Sequence, residues 1–171
     1  ISFMSEHAIG VMIMFSRGLY RNMRHQLKKE WIRVEDADEL TNKTLVIVGA
    51  GKIGSAIARK AKALDMKVVG IDKFPRPVEH FDEVRGMDTL MKTLGEADYV
   101  LLVTPLTPET YHFMGKEQFE AMKDSAVFIN MSRGHTMDQD ALIEASEKGT
   151  IRGAALDVFH KEPLDAASKL W

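Results

Sequence analysis

A short glycine-rich segment is the feature that most constrains the fold of this chain. Gly49, Gly51 and Gly54 are spaced as G-x-G-x-x-G between two stretches of different character. The preceding residues, 44–49, form a β-branched and apolar run that ends in glycine, which predicts a strand buried on both faces. The following residues, 53–64, carry apolar side chains at helical spacing. A strand that turns through glycines into a helix is the opening of a β-α-β unit.

Strands and helices alternate through most of the remaining chain. The same patterns predict further strands at 67–72, 99–103, 126–130 and 153–158, with helices at 88–96, 116–123 and 138–148. This alternation favours the α/β class, with a Rossmann-type doubly wound parallel sheet and helices on both faces. We place its core at about 43–158. Apolar residues at helical spacing also predict an N-terminal helix over about 4–24, followed by a polar connecting segment.

Each part of the glycine segment has a physical role in a dinucleotide site. Gly49 permits the tight turn, Gly51 lets the backbone approach a pyrophosphate, and Gly54 lets the helix pack closely on the strand. The N–H groups of Lys52 and Ile53 are expected to face the phosphates, because the N-terminus of a helix carries a partial positive charge. The segment therefore predicts a site for a dinucleotide cofactor.

Asp72 makes that prediction more specific. It ends the second predicted strand, where a carboxylate can accept hydrogen bonds from both hydroxyls of an adenosine ribose. A 2′-phosphate would meet the carboxylate as a like charge, so we expect NAD rather than NADP. Lys73 and Arg76 follow closely and weaken this preference, because basic side chains can accommodate the phosphate.

Composition excludes several other classes of protein. The formal net charge is -2, which gives no reason to expect a nucleic acid or an anionic membrane as a partner. The sequence has no cysteine, so disulfides and thiolate metal sites are excluded, and a reducing cytoplasm fits this composition. The longest apolar stretch, 8–15, is too short to span a bilayer, and nothing resembles a signal peptide.

Three later stretches give the chain a specific resemblance. Thr104-Pro105-Leu106-Thr107-Pro108-Glu109-Thr110 follows the predicted strand 99–103, Asn130-Met131-Ser132-Arg133-Gly134 follows next, and Ala155-Leu156-Asp157-Val158-Phe159 leads to Glu162-Pro163. Together with the glycine segment, in this order, they resemble the D-isomer-specific 2-hydroxyacid dehydrogenase family. The resemblance covers nearly the whole chain. It implies the NAD-binding domain of an oxidoreductase that transfers hydride between NAD(H) and a small D-2-hydroxy acid or 2-oxo acid.

The resemblance also implies roles for individual residues near the nicotinamide. Thr104 and Pro105 would line the nicotinamide side of the site. Met131 and Ser132 would lie near the nicotinamide ribose, and Asp157 would hold the carboxamide.

Two further residues are implied to be catalytic, Arg133 and Glu162. Negative charge grows on the carbonyl oxygen when a 2-oxo acid is reduced, and a guanidinium can bind the carboxylate while stabilising that oxygen. The resemblance makes Glu162 the partner of a catalytic histidine. An adjacent carboxylate favours the charged, proton-donating form of imidazole and orients it.

None of the six histidines of the chain occupies the position of the family's catalytic histidine. We expect that residue beyond Trp171 and the substrate domain largely before Ile1, so that residues 1–171 are the NAD-binding domain of a longer protein and are inactive alone. His160 is two residues from Glu162 and is an open alternative partner for it. His135 is expected to be a solvated turn residue. No spacing among the histidines suggests a metal site, and we expect none.

Alternatives remain open on function and assembly. An NAD(H)-sensing interaction protein, like the corepressors that share this fold, would carry the same motifs. Formate dehydrogenases would have glutamine in place of Glu162, which disfavours them.

Four methionines on the first helix, Met4, Met12, Met14 and Met23, lie in a region that pairs domains in the family, so we expect a homodimer. The competing interpretation is that they fill the core. The sequence does not identify the substrate.

Overall fold

The apolar runs form six strands of one parallel sheet in the computed structural model, which describes all residues 1–171. The strands are β1 (Thr44–Val48), β2 (Lys67–Ile71), β3 (Glu83–Arg85), β4 (Tyr99–Leu102), β5 (Val127–Asn130) and β6 (Gly153–Leu156). Their order is β3-β2-β1-β4-β5-β6, and all neighbours are parallel. The chain reverses its direction of travel across the sheet between β1 and β4, which creates a crevice at the carboxyl ends of these strands. This confirms the predicted doubly wound fold.

Helices cover both faces of the sheet. They are α1 (Ser2–Ser16), α2 (Leu19–Leu27), α3 (Lys52–Lys62), α4 (Leu90–Leu94), α5 (Lys116–Ala121) and α6 (Gln139–Glu147). Buried residues of α1 and α3 pack on one face, and those of α4, α5 and α6 pack on the other. No helix has the length and apolar character needed to cross a membrane.

Alternate residues of the central strand contribute to two separate cores. Leu45 and Ile47 of β1 pack in the core beneath α1 and α3. Val46 and Val48 pack in the core beneath α4, α5 and α6. Successive side chains of a strand point to opposite faces, so a strand covered on both sides must be apolar throughout. The continuous apolar run in the sequence is the consequence of this double burial.

The single N-terminal helix expected over about 4–24 is instead two helices. Gly18 has a φ of 61° in the left-handed region, which ends the hydrogen-bonding pattern of α1. A Cβ at Gly18 would lie 2.7 Å from Cγ1 of Val34, so the connecting segment after α2 passes directly against the break. The apolar spacing continues through the break, and for that reason periodicity alone did not reveal it.

The structure also differs from the sequence prediction around β3. This short edge strand was not predicted, because its charged residues Glu83 and Arg85 do not form an apolar pattern. The strand β3 is instead held in the sheet by its parallel backbone pairing with β2. The helix expected over 88–96 is a 3-10 turn, Met87–Thr89, followed by α4.

Candidate active site at the carboxyl edge of the sheet

The glycine loop after β1 has the packing that its spacing predicts. Gly49 has a φ of 109°, and a Cβ there would lie 3.1 Å from the backbone oxygen of Val103. A Cβ at Gly54 would lie 2.2 Å from the backbone oxygen of Gly49. Glycine at these two positions therefore lets the loop contact the end of β4 and lets α3 begin directly against the end of β1.

The middle of the loop suits a pyrophosphate. A Cβ at Gly51 would meet nothing within 4 Å, so the loop is open on that side. Gly51 precedes α3, which has 11 residues and no side-chain cap. No group in the chain accepts a hydrogen bond from the N–H of Lys52 or Ile53. These free donors and the positive end of the helix fit an anionic ligand, as the sequence predicts.

Asp72 connects the second strand to the glycine loop. Its Oδ2 accepts a hydrogen bond from the backbone N of Ala50 at 3.0 Å, and its Oδ1 accepts from the backbone N of Phe74 at 3.0 Å. A carboxylate oxygen has two lone pairs, so both oxygens retain a position for a ribose hydroxyl. Asp72 thus fixes the shape of the loop, and its contact with an adenosine ribose stays a prediction.

Arg133 lies on a loop after β5 whose base is a buried hydrogen-bond network. The side chains of Asn130, Ser132 and Thr136 are buried. The Ser132 hydroxyl donates to Oδ1 of Asn130 at 2.8 Å and lies 2.8 Å from the Thr136 hydroxyl. The Thr136 hydroxyl donates to the backbone oxygen of Arg133 at 2.7 Å. The network thus holds the backbone of Arg133, and the exposed side chain donates through Nη1 to the backbone oxygen of Ser132 at 2.7 Å.

Glu162 lies on the loop after β6, and this loop contacts the arginine loop. A Cβ at Gly134 would lie 2.0 Å from the backbone oxygen of Phe159, so only glycine allows this contact. Oε1 of the exposed Glu162 accepts a hydrogen bond from the backbone N of Phe159 at 3.0 Å. The two residues predicted to be catalytic are therefore on touching loops at the ends of neighbouring strands, although no ion pair joins them.

The other predicted cofactor residues lie along the same edge of the sheet. Thr104 is half-buried and Pro105 is exposed, and the Pro105 backbone oxygen accepts a hydrogen bond from the Thr110 hydroxyl at 2.7 Å. Met131 is buried, and it lines with Asp157 an apolar groove of about 380 Å³ beside α1. Ser132 points inward to Asn130. The cofactor contacts that the resemblance implies for these residues stay predictions.

Three histidines gather where the sequence shows no pattern. Nε2 of His160 lies 2.9 Å from the backbone oxygen of Met137, so His160 does not pair with Glu162. The ring of His160 stacks on those of His112 and His135. The expectation that His135 is a solvated turn residue was wrong, because it is half-buried within this stack. The spacing also gave no reason to expect a metal site, whereas the fold brings three potential ligands together.

Asn130 and Thr136 are the site residues that sequence reasoning did not single out. Both are fully buried, and they hold the loop that carries Arg133. A signal was present, since Asn130 is a polar residue that ends an apolar strand. Thr136 carried no comparable signal, because its role depends on a turn that closes only in the folded chain.

A parallel sheet in this order, with the glycine loop and Asp72 at its crevice, defines a dinucleotide-binding domain. Residues 9–171 match the family model described as "D-isomer specific 2-hydroxyacid dehydrogenase, NAD binding domain". The chain belongs to this family.

Several relatives are similar over most of this chain. It is 37% identical over 161 residues to a D-3-phosphoglycerate dehydrogenase of Methanocaldococcus jannaschii, covering 93% of this chain and 31% of that protein. It is 45% identical over 128 residues to a glyoxylate reductase of Korarchaeum cryptofilum, covering 74% of this chain and 38% of that protein. The crystal structure of a phosphoglycerate dehydrogenase from Lactobacillus plantarum superposes with a TM-score of 0.93 at 33% identity, covering 98% of this chain and 55% of that one. The chain thus spans less than two thirds of each of these relatives.

Proposed function

We propose that this chain is the cofactor-binding domain of an oxidoreductase that transfers hydride between NAD(H) and a small D-2-hydroxy acid or 2-oxo acid. One observation carries the proposal: the glycine loop, Asp72 and the loops of Arg133 and Glu162 all lie at the carboxyl ends of the strands. In open α/β sheets, ligands bind at this edge. The relatives reported above are named as dehydrogenases and reductases, which favours an enzyme over the alternative, an NAD(H)-sensing interaction protein.

Each residue has a distinct part in this proposal. The N–H groups of Lys52 and Ile53 hold the pyrophosphate, and Asp72 accepts from the adenosine ribose. The bound nicotinamide supplies or accepts the hydride. Arg133 binds the substrate carboxylate and stabilises negative charge at the reacting oxygen, because its guanidinium donates in two directions. Glu162 orients a proton-donating histidine, which we place outside residues 1–171, together with the substrate domain.

The preference for NAD over NADP is a further part of the proposal. Asp72 disfavours a 2′-phosphate by charge repulsion, whereas the exposed Lys73 and Arg76 reduce this effect. Several similar solved structures contain NADP or NADPH, among them a probable 2-hydroxyacid dehydrogenase from Rhizobium etli with a TM-score of 0.91 and 32% identity. We expect NADH to bind this chain at least about tenfold more tightly than NADPH, a difference of about 1.4 kcal/mol. Asp72→Asn should reduce the ratio of the NADPH and NADH dissociation constants, which calorimetric titration with each cofactor would measure.

The catalytic part is tested on the full-length protein that contains this chain. We expect NADH-dependent reduction of at least one of glyoxylate, hydroxypyruvate or a longer 2-oxo acid. Arg133→Gln should lower kcat/KM at least about a hundredfold, because the group that stabilises the developing charge is lost. Arg59→Gln, which removes an exposed arginine from the last turn of α3, is the matched control and should leave turnover unchanged. Tight NADH binding without turnover of any 2-oxo acid would instead support the interaction protein.

We also propose that the protein is a homodimer and acts in the cytoplasm. Met12 is fully buried in its own core, so this methionine is core filler. Met23 and Leu27, in contrast, are 62% and 86% exposed on α2, and Trp31 and Ile32 are exposed just after it. An apolar surface of this kind is typical of a protein contact.

Subcellular fractionation of the source cells would test the proposed cytoplasmic location.

A further inference from the structure

Three histidines from three different loops meet beside the candidate active site. His112, His135 and His160 follow β4, β5 and β6 respectively, so each lies beyond the carboxyl end of its strand. One ring nitrogen of each residue lies within 4.8 Å of one ring nitrogen of each of the others. The ring centroids are 4.4 Å apart for His135 and His160, 5.3 Å for His112 and His160, and 6.4 Å for His112 and His135. The cluster is therefore a triangle and not a linear stack.

Two of these rings have buried nitrogens without a partner in the protein. Nε2 of His112 and Nδ1 of His135 are enclosed and make no hydrogen bond with any protein group. A buried polar atom without a partner costs free energy, so native structures rarely leave one unexplained. A ligand that coordinates both nitrogens would remove this cost.

The third ring is oriented as a metal ligand usually is. Nε2 of His160 lies 2.9 Å from the backbone oxygen of Met137, and a carbonyl oxygen can only accept a hydrogen bond. The neutral ring therefore carries its proton on Nε2 and its lone pair on Nδ1. Metal-binding histidines commonly have their tautomer fixed by a backbone carbonyl in this way.

Backbone hydrogen bonds hold the loops of His112 and His135 together. The backbone N of His112 donates to the backbone oxygen of His135 at 2.8 Å, and that of Met114 donates to the oxygen of Thr136 at 3.2 Å. His112 has a φ of 49°, in the left-handed region that residues other than glycine seldom adopt. Such conformations persist where the surrounding structure enforces them, and they are frequent at ligand sites. The backbone positions of His112 and His135 are thus fixed by the fold.

We propose that His112, His135 and His160 form a binding site for a divalent transition-metal ion such as Zn²⁺, with water at the fourth position. Imidazole nitrogens suit Zn²⁺, Co²⁺, Ni²⁺ and Cu²⁺, and three histidines with one open position are a known zinc arrangement. Nitrogens at about 2.0–2.1 Å from a tetrahedral Zn²⁺ are about 3.4 Å apart, so the rings must move together by about 1 Å. The ring planes now lie within 10–27° of parallel. The rings must therefore also turn about χ2 to direct their nitrogens at one ion.

The ion would connect the three loops that follow β4, β5 and β6. His135 is two residues from Arg133, and His160 is two residues from Glu162. The site is distinct from the residues assigned to the cofactor and to catalysis, and it does not depend on the proposed function. Its consequence would be to restrain the loops that carry the predicted catalytic residues.

The test is a titration of the EDTA-treated and dialysed chain with Zn²⁺ in competition with a chromophoric chelator. We expect one Zn²⁺ per chain. His135→Ala, His160→Ala and His112→Asn should each weaken binding at least about tenfold; asparagine is chosen at 112 because it tolerates the left-handed region. His25→Ala, which removes a histidine of α2 outside the cluster, is the matched control and should bind like the unmodified chain. Far-ultraviolet circular dichroism establishes that each variant is folded.

Two readouts separate a built site from surface binding. Co²⁺ should give the visible absorption of a tetrahedral ion in the unmodified chain and lose it in His160→Ala. Zn²⁺ should raise the Tm of the unmodified chain and not that of His135→Ala. Absence of stoichiometric binding, or binding that all three cluster variants retain, would overturn the proposal and leave water as the partner of the buried nitrogens.

Discussion

The glycines of the loop after β1 have different neighbours, so substitutions at them should have different consequences. A Cβ at Gly51 enters open space, whereas a Cβ at Gly54 would collide with the backbone oxygen of Gly49 at 2.2 Å. We predict that Gly51→Ala leaves the Tm unchanged and weakens NADH binding at least about tenfold, because the methyl group occupies the approach of the pyrophosphate. Gly54→Ala should instead lower the free energy of unfolding, as overpacking does, by about 1–3 kcal/mol.

Gly10 supplies the matched control for these variants. A Cβ at Gly10 of α1 also meets nothing within 4 Å. Gly10→Ala should therefore leave the NADH affinity unchanged and should not lower the free energy of unfolding. Unchanged NADH affinity in Gly51→Ala would contradict the assigned pyrophosphate position.

Tyr99, at the start of β4, makes stability depend on pH in the alkaline range. Burial raises the pKa of Tyr99 from 10.0 to about 12. A group whose pKa is higher in the folded protein contributes stability that is fully present below pH 10 and is lost as the pH rises through about 12. The difference of about two units corresponds to a loss of about 3 kcal/mol. Urea unfolding at a series of pH values would measure it.

Two phenylalanine variants identify the residue responsible. Tyr99→Phe removes the titrating group, so its stability should fall less than that of the unmodified chain between pH 10 and 12. Tyr111→Phe, at an exposed tyrosine, should follow the unmodified chain. Equal alkaline losses in Tyr99→Phe and the unmodified chain would show that another group is responsible.

At the scale of elements, the carboxyl end of β5 depends on Thr136. Its hydroxyl contacts Arg133, Ser132 and Asn130, so Thr136→Val removes three buried hydrogen-bond contacts. We predict a loss of about 1–3 kcal/mol in the free energy of unfolding, measured by urea titration. Thr136→Ser retains the hydroxyl and should recover most of this loss. If valine and serine were equally tolerated, the network would not hold the arginine loop.

The sequence predicted best those elements whose apolar pattern is required by burial. Every strand covered on both faces was predicted, because an apolar run is required there. The edge strand β3 was not predicted, since only its backbone pairs and its side chains are free to be charged. The break at Gly18 was missed for a related reason: the apolar spacing of α1 continues into α2 although the left-handed Gly18 separates the two helices.

At the scale of the whole molecule, the exposed apolar residues of α2 and the following segment predict self-association. We expect sedimentation or light scattering to give the mass of a dimer at high concentration. Leu27→Asp should shift the equilibrium toward monomer, because a charge would be buried in the contact. Met91→Glu, an exposed methionine of α4 on the other side of the sheet, is the control and should remain dimeric. A monomer at every concentration would exclude pairing through this surface.

The sequence alone determined the α/β class, the doubly wound sheet, the family and the loop expected to hold a dinucleotide. These follow from local rules, since the apolar period, the glycine spacing and the order of motifs are all properties of neighbouring residues. Only the tertiary structure decided which distant side chains meet. It separated His160 from Glu162, placed Thr136 beneath Arg133 and brought His112, His135 and His160 together. The last three are far apart along the chain, and they meet because parallel strands end at one edge of the sheet.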